Sequence, residues 1–549
     1  MTTERMLLSG NEAVAHAVLD ARVAMATGYP GTPSTEILET VAEIGGKAQW
    51  APNEKVALEV AIGAAFAGGR AVATMKHVGV NVAADPLFTA AYTDLSAGLV
   101  VVAADDPGMA SSQNEQDTRN YARAAGVPCL EPADSQEAYD LMLVAIDLSE
   151  QWNCPVILRL TTRICHSKTI VYRRRAGELT TPAQPHYQRD LPARVMIPAY
   201  ARPAHRRMRE KLSSIAAWYE KTPPREAGEP VATSEFGSGL IVTRPGGSDL
   251  GIITNGVAYQ HACEAAPHAS VLKLGMTWPL PMDRIRGFIE VLDRVVVIEE
   301  GDPFLATELK AAGLDVEGKP EMYRFGELNV GRVRRILAGD TSAESAAPKG
   351  RPPQLCKGCP HRGVFETLRD AGCIVTGDIG CYTLGVLPPF EAMDTCVCMG
   401  ASLGVGLGMR HVLPDDQARK VVSVIGDSTF VHSGITGLVE MAYNRPRTGH
   451  LVMILDNGTT AMTGMQEHPG TGRALDHSAA GKLDFETLCR ACGVENVHVV
   501  DMATGADQLP ARVAEALNRD ELSVIITRRP CLIAARKIRE YEQVNQSSR

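Results

Sequence analysis

The sequence contains no apolar run as long as the roughly 18 residues that a membrane-spanning helix needs. It also lacks a block of basic residues, and its net charge is -9, from 55 basic and 64 acidic side chains. We therefore predict no membrane span, and nucleic acid is not expected to be the main partner. The N-terminus has no basic segment followed by an apolar core, so no signal peptide is predicted and a cytoplasmic location is expected.

A disulfide framework is not expected either. The chain has 13 cysteines, an odd number, and no secretory signal, which favours free thiols or metal ligands. Cys356 and Cys359 form a Cys-x-x-Cys pair, and Cys381 and Cys531 lie further along the same part of the chain. Four thiolates bind zinc or a [4Fe-4S] cluster, whereas a Cys-x-x-Cys pair alone also suits a redox dithiol.

The length of 549 residues exceeds what one hydrophobic core usually supports, so several domains are expected. Apolar strand-like segments alternate with helical segments and glycine-rich turns, which predicts an α/β protein built from parallel sheets. We divide the chain into a first domain at 1–170, a connector at 171–245, a second α/β domain at 246–345 and a third at 350–549. The second domain has no G-x-G-x-x-G fingerprint at its first turn, so we expect it to be architectural.

The third domain contains two apolar strands with polar turns at their carboxyl ends. VVSVI is followed by Gly426-Asp427-Ser428, and LVMIL is followed by Asp456-Asn457-Gly458. Parallel strands bring such turns together at one edge of a sheet. Mg²⁺ prefers hard oxygen ligands and shares them with phosphate oxygens, so the pair predicts a site for Mg²⁺ and a diphosphate. The alternative is two ordinary turns, since Gly, Asp and Asn are common turn formers.

The small-residue segment from Asn53 to Gly69 predicts a largely buried helix with Glu54 at its start. A buried carboxylate there is costly without a partner. Of the two glutamates in this helix, we choose Glu54 over Glu59 as the buried carboxylate that meets a bound group. For either glutamate the alternative is a solvated helix face, a structural ion pair or an interaction with the helix dipole.

Three further segments of the first domain are candidates for substrate contacts. The turn Gly28–Ser34 ends in Ser34, a predicted helix N-cap, and a helix start of this kind suits a carboxylate. Lys76 and His77 follow a strand and could bind an anionic substrate or move a proton, although a lone histidine is more often structural. A polar loop that contains Gln113 follows the strand GLVVVAA.

Two cysteines of the third domain receive a different interpretation. Cys396 and Cys398 stand before the small-residue segment MGASLGVGLGM, which predicts a helix. We interpret them as thiols packed at the entrance of that helix rather than as ligands.

The sequence blocks described above resemble the thiamine-diphosphate-dependent 2-oxoacid:ferredoxin oxidoreductases, and among them the alpha subunits that act on indolepyruvate. The blocks that carry the resemblance are LLSGNEAVAHA, GYPGTPSTEI, NEKVALEVAIGAAFAGGRA, TMKHVG, SSQNEQDTR, LCKGCPHRG, GDIGCYTLG, GDSTFVHSGITGL and DNGTTAMTG. The turn pair also resembles the thiamine-diphosphate signature GDG…NN, but reads GDS and DN here. The resemblance implies a pyrimidine-binding domain, a transketolase-C-like domain and a diphosphate-binding domain.

The resemblance also implies roles for single residues. Glu54 corresponds to the pyrimidine-activating glutamate and Thr32 to a threonine that meets the substrate carboxylate. The implied Mg²⁺ ligands are Asp427, Asn457 and Thr459, and the implied [4Fe-4S] ligands are Cys356, Cys359, Cys381 and Cys531. The other expected contacts are Gly426, Ser428, Thr460 and Met462 for the cofactor, Gln113 for the substrate, and Lys76 and His77 for catalysis.

The implied partners are a separate beta subunit, coenzyme A, a 2-oxoacid, and ferredoxin or another electron acceptor, in an alpha2beta2 complex. Two departures from the family pattern stand out. The sequence stops at Arg549 with no cysteine after Cys531, so the ferredoxin-like domain of the family is expected to be missing. Met465 stands where relatives often have histidine, which bears on proton handling or substrate choice.

The leading hypothesis is therefore oxidative decarboxylation of a 2-oxoacid, with an arylpyruvate as the implied substrate and acyl-CoA and CO2 as products. A first alternative is a non-oxidative thiamine-dependent decarboxylase or carboligase, which needs no cluster. A second is a subunit that keeps the fold only for assembly, although Glu54, Asp427 and Asn457 argue against it.

Overall fold

The computed structural model describes residues 4–174, 179–226, 239–345 and 353–547. The chain forms two compact units, Met1–Ser345 and Ala346–Arg549. The predicted start of the last domain at residue 350 lies outside the described residues. In the part of the chain that the structure describes, no helix is long and apolar enough to span a membrane.

The strands of the first unit belong to three sheets. They are β1 (Arg5–Ser9), β2 (Met25–Gly28), β3 (Ala48–Trp50), β4 (Ala71–Lys76), β5 (Leu99–Asp105), β6 (Cys129–Leu130), β7 (Val156–Thr161), β8 (Lys168–Tyr172), β9 (Arg225–Glu226), β10 (Ile241–Arg244), β11 (Gly247–Thr254), β12 (Ala269–Leu274), β13 (Met276–Trp278) and β14 (Val295–Ile298).

A seven-stranded sheet has the order β13-β6-β7-β5-β4-β2-β3 and is parallel except for β13. A five-stranded sheet has the order β14-β11-β12-β10-β9, with β10 antiparallel to β12. The strands β1 and β8 form an antiparallel pair. The predicted connector thus contributes β9 and β10 to the five-stranded sheet, and the predicted second domain contributes β13 to the seven-stranded sheet. The finer division of this unit into domains remains a proposal.

The helices of the first unit cover its sheets. They are α1 (Gly10–Asp20), α2 (Thr35–Glu43), α3 (Glu54–Phe66), α4 (His77–Val82), α5 (Ala84–Ala90), α6 (Thr118–Ala125), α7 (Ser135–Trp152), α8 (Thr162–His166), α9 (Leu191–Arg194), α10 (Pro198–Lys221), α11 (Ala258–Ala265), α12 (Met282–Ile289), α13 (Phe304–Ala311) and α14 (Val330–Leu337). Local sequence sets several starts: Asn53 caps α3 by accepting the Val56 N–H, and Ser9 and Glu12 form a capping box on α1.

The second unit has one parallel sheet of order β15-β16-β17-β19-β18. Its strands are β15 (Ile374–Thr376), β16 (Val421–Gly426), β17 (His450–Asp456), β18 (Asn496–Asp501) and β19 (Leu522–Arg528). Its helices are α15 (His361–Asp370), α16 (Ala401–Val412), α17 (Asp415–Ala418), α18 (Asp427–Thr429), α19 (Ile435–Tyr443), α20 (Phe485–Ala491), α21 (Leu509–Leu517) and α22 (Ala535–Ser547).

The central strands of the second unit's sheet, β16, β17 and β19, are buried on both faces. Alternate residues of β17 enter different cores: Leu451, Met453 and Leu455 pack in one, and Val452 and Ile454 in the other. A strand covered on both faces has no polar side chains to alternate with apolar ones, which explains the continuous apolar runs in the sequence. The predicted α/β fold with three largely parallel sheets is confirmed.

Candidate functional site

The polar residues of the second unit gather at the carboxyl ends of adjacent parallel strands. Asp378 and Cys381 follow β15, Asp427 begins a helix directly after β16, Asn457 follows β17, and Cys531 follows β19. The sheet order makes these four strands neighbours. Connections from four strands therefore open at one edge, where ligands bind in open α/β sheets.

The two turns that the sequence singles out are joined by hydrogen bonds. The Gly458 N–H donates to Asp427 Oδ2 at 2.8 Å, and the Thr460 hydroxyl donates to Ser428 Oγ at 2.9 Å. Asp427 Oδ1 accepts from the Ser428 N–H at 2.9 Å. The turn after β16 and the turn after β17 thus form one polar cradle, which we call the turn pair (residues 426–428 and 457–460).

The turn pair has the features of an anion site. Asp427 begins a helical run that continues through a π-helical segment, Phe430–Gly434, into α19, so backbone N–H groups and the positive end of the helix dipole face the turn. Gly426 is held against the Tyr382 ring, because a Cβ there would lie 2.5 Å from Tyr382 Cε1. No side chain fits at this position, which explains the glycine.

The oxygen donors of the turn pair also fit a hard cation. Asp427 and Asn457 are buried, and Asn457 Oδ1 accepts the Thr459 N–H at 3.0 Å. A carboxylate and an amide oxygen have further lone pairs free for a metal ion. Among the described residues, no three His, Cys, Asp or Glu side chains form a metal-ion site. The proposed Mg²⁺ site contains only one such side chain, Asp427, together with an asparagine and a backbone carbonyl. It therefore does not conflict with this result.

The four predicted cluster cysteines line one cavity of about 250 Å³. Burial and then the neighbouring thiols of Cys531, Cys359 and Cys356 raise the pKa of Cys381 to about 11. Burial likewise raises the pKa of Cys359, with smaller contributions from Cys356 and Cys531. Positive charge among these thiols would lower their pKa values and favour the thiolates, and bound iron would supply that charge.

The cysteine cavity and the turn pair share residues. The Cys531 N–H donates to the Asn457 carbonyl at 2.9 Å, and Asn457 lines the cavity together with Met462 and Met465. His361, two residues after Cys359, places Nε2 3.4 Å from Asn457 Nδ2. Burial lowers the pKa of His361 to about 4, so its ring is neutral near pH 7 and Nε2 can accept from the amide.

The interpretation of Cys396 and Cys398 as packed thiols is wrong. Both are exposed, because α16 begins only at Ala401 and the two cysteines stand in the preceding loop. The loop is fixed by Asp378 instead, whose buried carboxylate accepts the N–H groups of Gly400 and Ser402 at 2.9 and 3.0 Å.

In the first unit, Glu54 is the first residue of α3 and is only 4 % exposed. Its side chain packs against Gly79, where a Cβ would lie 2.7 Å from both Glu54 Cγ and Oε1. The competing glutamate, Glu59, is exposed and forms an ion pair with Lys55. The helix α3 is therefore not buried all round as the sequence predicts: one face, with Glu59 and Gly63, reaches the solvent.

Glu54, Thr32 and Lys76 lie in one neighbourhood. The Lys76 ammonium donates to the Ser111 carbonyl at 3.1 Å, and the Ser111 hydroxyl donates to the Thr32 carbonyl at 3.4 Å. A Cβ on Gly31 would lie 3.1 Å from Lys76 Cδ. Burial lowers the pKa of Lys76, while the negative charges of Asp106 and Glu54 oppose that shift.

His77 is fully buried and makes one hydrogen bond, in which Nε2 donates to the Asn114 carbonyl at 3.0 Å. Because a carbonyl only accepts, the neutral ring carries its hydrogen on Nε2. Its Nδ1 has no partner among the described residues. Gln113 is exposed and lines a second cavity of about 460 Å³, together with Asn114 and Glu115.

The predicted N-cap Ser34 stands at the N-cap position of α2, but its side chain does not cap the helix. Its hydroxyl donates to the Gly31 carbonyl at 3.0 Å and closes the turn instead. The sequence reasoning also missed Asp378, His361 and His468. Asp378 follows a strand in a Gly-Asp pair, like Asp427, and that signal was available. The two histidines are recognisable only from the folded structure, His361 at the start of α15 and His468 in a loop.

Two family models match the chain. The model described as "Pyruvate flavodoxin/ferredoxin oxidoreductase, thiamine diP-bdg" matches residues 16–218, and the model "Thiamine pyrophosphate enzyme, C-terminal TPP binding domain" matches residues 378–527. The second range contains the turn pair, and the first contains Glu54. The protein is thus a thiamine-diphosphate-dependent oxidoreductase of the 2-oxoacid class.

Curated relatives define the family more closely. Indolepyruvate oxidoreductase subunit IorA of Archaeoglobus fulgidus is 40% identical, over 98% of this chain and 88% of the relative. The proteins of the same name from Methanothermobacter thermautotrophicus and Pyrococcus horikoshii are 37% and 36% identical, over 98% and 96% of this chain and 88% and 86% of the relatives. The chain belongs to the family of indolepyruvate oxidoreductase subunit IorA.

A solved structure agrees in fold. The 2-oxoglutarate:ferredoxin oxidoreductase from Magnetococcus marinus has a TM-score of 0.50 and 17% identity, and the likeness covers 62% of this chain and 65% of that chain.

Proposed function

We propose that the protein catalyses the oxidative decarboxylation of an arylpyruvate, such as indolepyruvate or phenylpyruvate, to an acyl-CoA and CO2. The observation that carries this proposal is the convergence of four cysteines in a cavity that shares Asn457 with the turn pair. A thiamine enzyme without redox chemistry has no need of such a cavity. The substrate class follows from the names of the curated relatives.

The turn pair would hold the diphosphate and its Mg²⁺. Asp427, Asn457 and a backbone carbonyl near Thr459 would be the metal ligands, and Gly426, Ser428 and Thr460 would contact the cofactor. When bound, thiamine diphosphate supplies the electron sink that 2-oxoacid cleavage requires. The chain's own contribution is to orient the diphosphate and to exclude water from the buried donors.

Glu54 would hydrogen-bond the aminopyrimidine, and its burial keeps that contact free of competing water. The Thr32, Lys76 and Ser111 cluster beside it offers a hydroxyl and a cation to the substrate carboxylate. His77 would hold the loop that contains Asn114 in place through its Nε2 hydrogen bond. Its Nδ1 lone pair would accept a proton during catalysis. Gln113 remains a proposed substrate contact.

Cys356, Cys359, Cys381 and Cys531 would bind a [4Fe-4S] cluster. A single zinc ion draws four thiolates into one tight tetrahedron, whereas a four-iron cluster places each thiolate on a different iron atom. The family resemblance, in which these four cysteines correspond to cluster ligands, favours the four-iron cluster over zinc. Met462 lines the same cavity and is half exposed, and it remains a proposed contact of thiamine diphosphate.

The proposed partners are a separate beta subunit, which the word "subunit" in the relatives' names supports, and an alpha2beta2 assembly. Coenzyme A would take the acyl group, and ferredoxin or another one-electron acceptor would take the electrons; the solved 2-oxoglutarate:ferredoxin oxidoreductase contains bound coenzyme A.

The cluster is tested by anaerobic purification of the complex, followed by counts of iron and sulfide. Cys381→Ser is expected to lose most of its iron, because each iron of the cluster needs its own thiolate ligand. Cys398→Ser is the matched control, since that cysteine is exposed and outside the cavity. A Cys381→Ser protein with full iron would refute the ligand set, and an iron-free but active wild-type enzyme would favour the non-oxidative decarboxylase.

The pyrimidine contact is tested by Glu54→Gln. This variant is expected to lose turnover with indolepyruvate and coenzyme A while it still binds thiamine diphosphate with Mg²⁺. Glu59→Gln, on the exposed face of the same helix, is expected to keep wild-type turnover. Equal rates for wild type and Glu54→Gln would contradict the assignment. Parallel assays with phenylpyruvate, pyruvate and 2-oxoglutarate give the substrate preference.

A further inference from the structure

A buried histidine on the loop that follows the turn pair has no role in the site described so far. His468 is 6 % exposed, and its Nε2 lies 3.3 Å from Asp427 Oδ2. This approach does not have hydrogen-bond geometry, and Nε2 makes no hydrogen bond within the described residues. A buried polar nitrogen without a partner is costly, so a group that the protein binds is its natural partner.

The other ring nitrogen fixes the tautomer of His468. The Gly470 N–H donates to Nδ1 at 3.2 Å, so Nδ1 uses its lone pair and carries no hydrogen. The neutral ring then carries its hydrogen on Nε2, which makes Nε2 a donor and not a lone-pair ligand. Its partner is therefore an acceptor, such as a phosphate oxygen, rather than a metal ion.

The loop that carries His468 is held in place by backbone hydrogen bonds. The Thr460 N–H donates to the Gln466 carbonyl at 2.9 Å, and the Thr471 N–H donates to the His468 carbonyl at 2.8 Å. Gly470 is confined between rings, because a Cβ there would lie 2.5 Å from Phe485 Cζ and 2.9 Å from His468 Cε1. The imidazole is thus preorganised beside Asp427 and needs no rearrangement to meet a ligand.

We propose that His468 is a diphosphate-binding residue, whose Nε2–H group donates to a phosphate oxygen of the cofactor next to Asp427. This inference rests on the proposed function of the turn pair. It gives that site a side-chain donor in addition to its backbone N–H groups. A buried donor to a charged oxygen makes a strong hydrogen bond, so its loss weakens cofactor binding rather than the fold.

The test compares three variants in titrations of the anaerobically purified complex with thiamine diphosphate and Mg²⁺. His468→Ala is expected to raise the Kd about 10- to 100-fold, the range for a hydrogen bond to a charged group. His468→Gln replaces Nε2–H with an amide N–H and is expected to recover most of the affinity. His411→Ala, on the exposed end of α16, is the control and is expected to bind like wild type.

Two further measurements separate binding from folding. Inorganic diphosphate with Mg²⁺ should lose affinity for His468→Ala by the same factor, because the missing contact is with phosphate. The ligand-free melting temperature should fall to a similar extent in His468→Ala and His468→Gln, because both variants lose the Nδ1 acceptor of the Gly470 N–H, whereas only His468→Ala should lose affinity. Unchanged affinity in His468→Ala would overturn the inference, as would equally weak binding in His468→Ala and His468→Gln. A wild-type complex that binds no thiamine diphosphate would instead overturn the proposed function.

Discussion

Replacing Gly79 with alanine should displace the Glu54 carboxylate without removing it. The added Cβ would lie 2.7 Å from Glu54 Cγ and Oε1 and 2.9 Å from Met75 Cβ. Ordinary contacts between carbon atoms begin at about 3.5 Å, so the glutamate side chain must move by about 0.8 Å. A misplacement of about 1 Å in an active site costs roughly 100-fold in rate, and we expect a loss of about that size in kcat/KM.

The assay is the reduction of a viologen dye by the anaerobic complex with indolepyruvate and coenzyme A. Gly63→Ala is the matched control, because its added Cβ on the exposed face of α3 meets no atom within 4 Å. That variant should keep wild-type activity and gain up to about 1 kcal/mol of stability from helix propensity. Overpacking at Gly79 should cost about 1–3 kcal/mol, which leaves the fold intact.

A double variant distinguishes displacement of Glu54 from a general disruption of the fold. In a Glu54→Gln background the substitution of Gly79 should cause little further loss, because the group it displaces has already lost its function. Wild-type kcat/KM in Gly79→Ala, or a full additional loss in the double variant, would refute the placement of Glu54 in the site.

Two other predictions concern the first unit. Burial raises the pKa of Glu300 to about 7 from its ordinary 4.5. Between these two pH values the folded protein keeps a proton that the unfolded chain loses. The free energy of unfolding therefore falls as the pH rises from 4.5 to 7. Glu300→Gln should abolish that decline and add about 3 kcal/mol at pH 8 in urea unfolding, whereas an unchanged pH dependence would contradict the assignment. Arg119 is buried between Asp117 and Glu299, so Arg119→Met should lower the free energy of unfolding by about 3–5 kcal/mol in urea. Arg123→Met, which breaks an exposed ion pair with Glu308, should lower it by under about 1 kcal/mol. Equal losses in the two variants would contradict the claim that the buried pairs contribute more to stability.

The fold class and the turn pair could be predicted because their causes are local. Continuous apolar runs that end in Gly-Asp and Asp-Asn mark buried parallel strands with polar turns, and parallel strands share an edge. The position of Cys531 could not be derived in this way. It depends on β19 inserting between β17 and β18, and sequence order does not reveal strand order.

Other expectations failed because the conformation of a loop, which sequence periodicity does not predict, determines the position of the side chain. Cys396 and Cys398 were expected to be packed, but α16 begins only at Ala401 and leaves them exposed in the loop. Ser34 was expected to cap α2, but its hydroxyl bonds the Gly31 carbonyl within the turn. His468 carries no signal in the sequence, because only the return of its loop to Asp427 gives it a neighbour.

The most direct test is the first one-electron step of the reaction, followed by visible absorbance, because one [4Fe-4S] cluster accepts only one of the two electrons that the oxidation releases. The anaerobically purified complex is mixed with indolepyruvate and coenzyme A, without an external acceptor. We predict that the iron–sulfur absorbance of the wild type bleaches, and that Glu54→Gln, with the same iron content, does not bleach. A wild-type protein that consumes the 2-oxoacid without any change in absorbance would contradict the claim that the cysteine cavity and the turn pair serve one redox reaction.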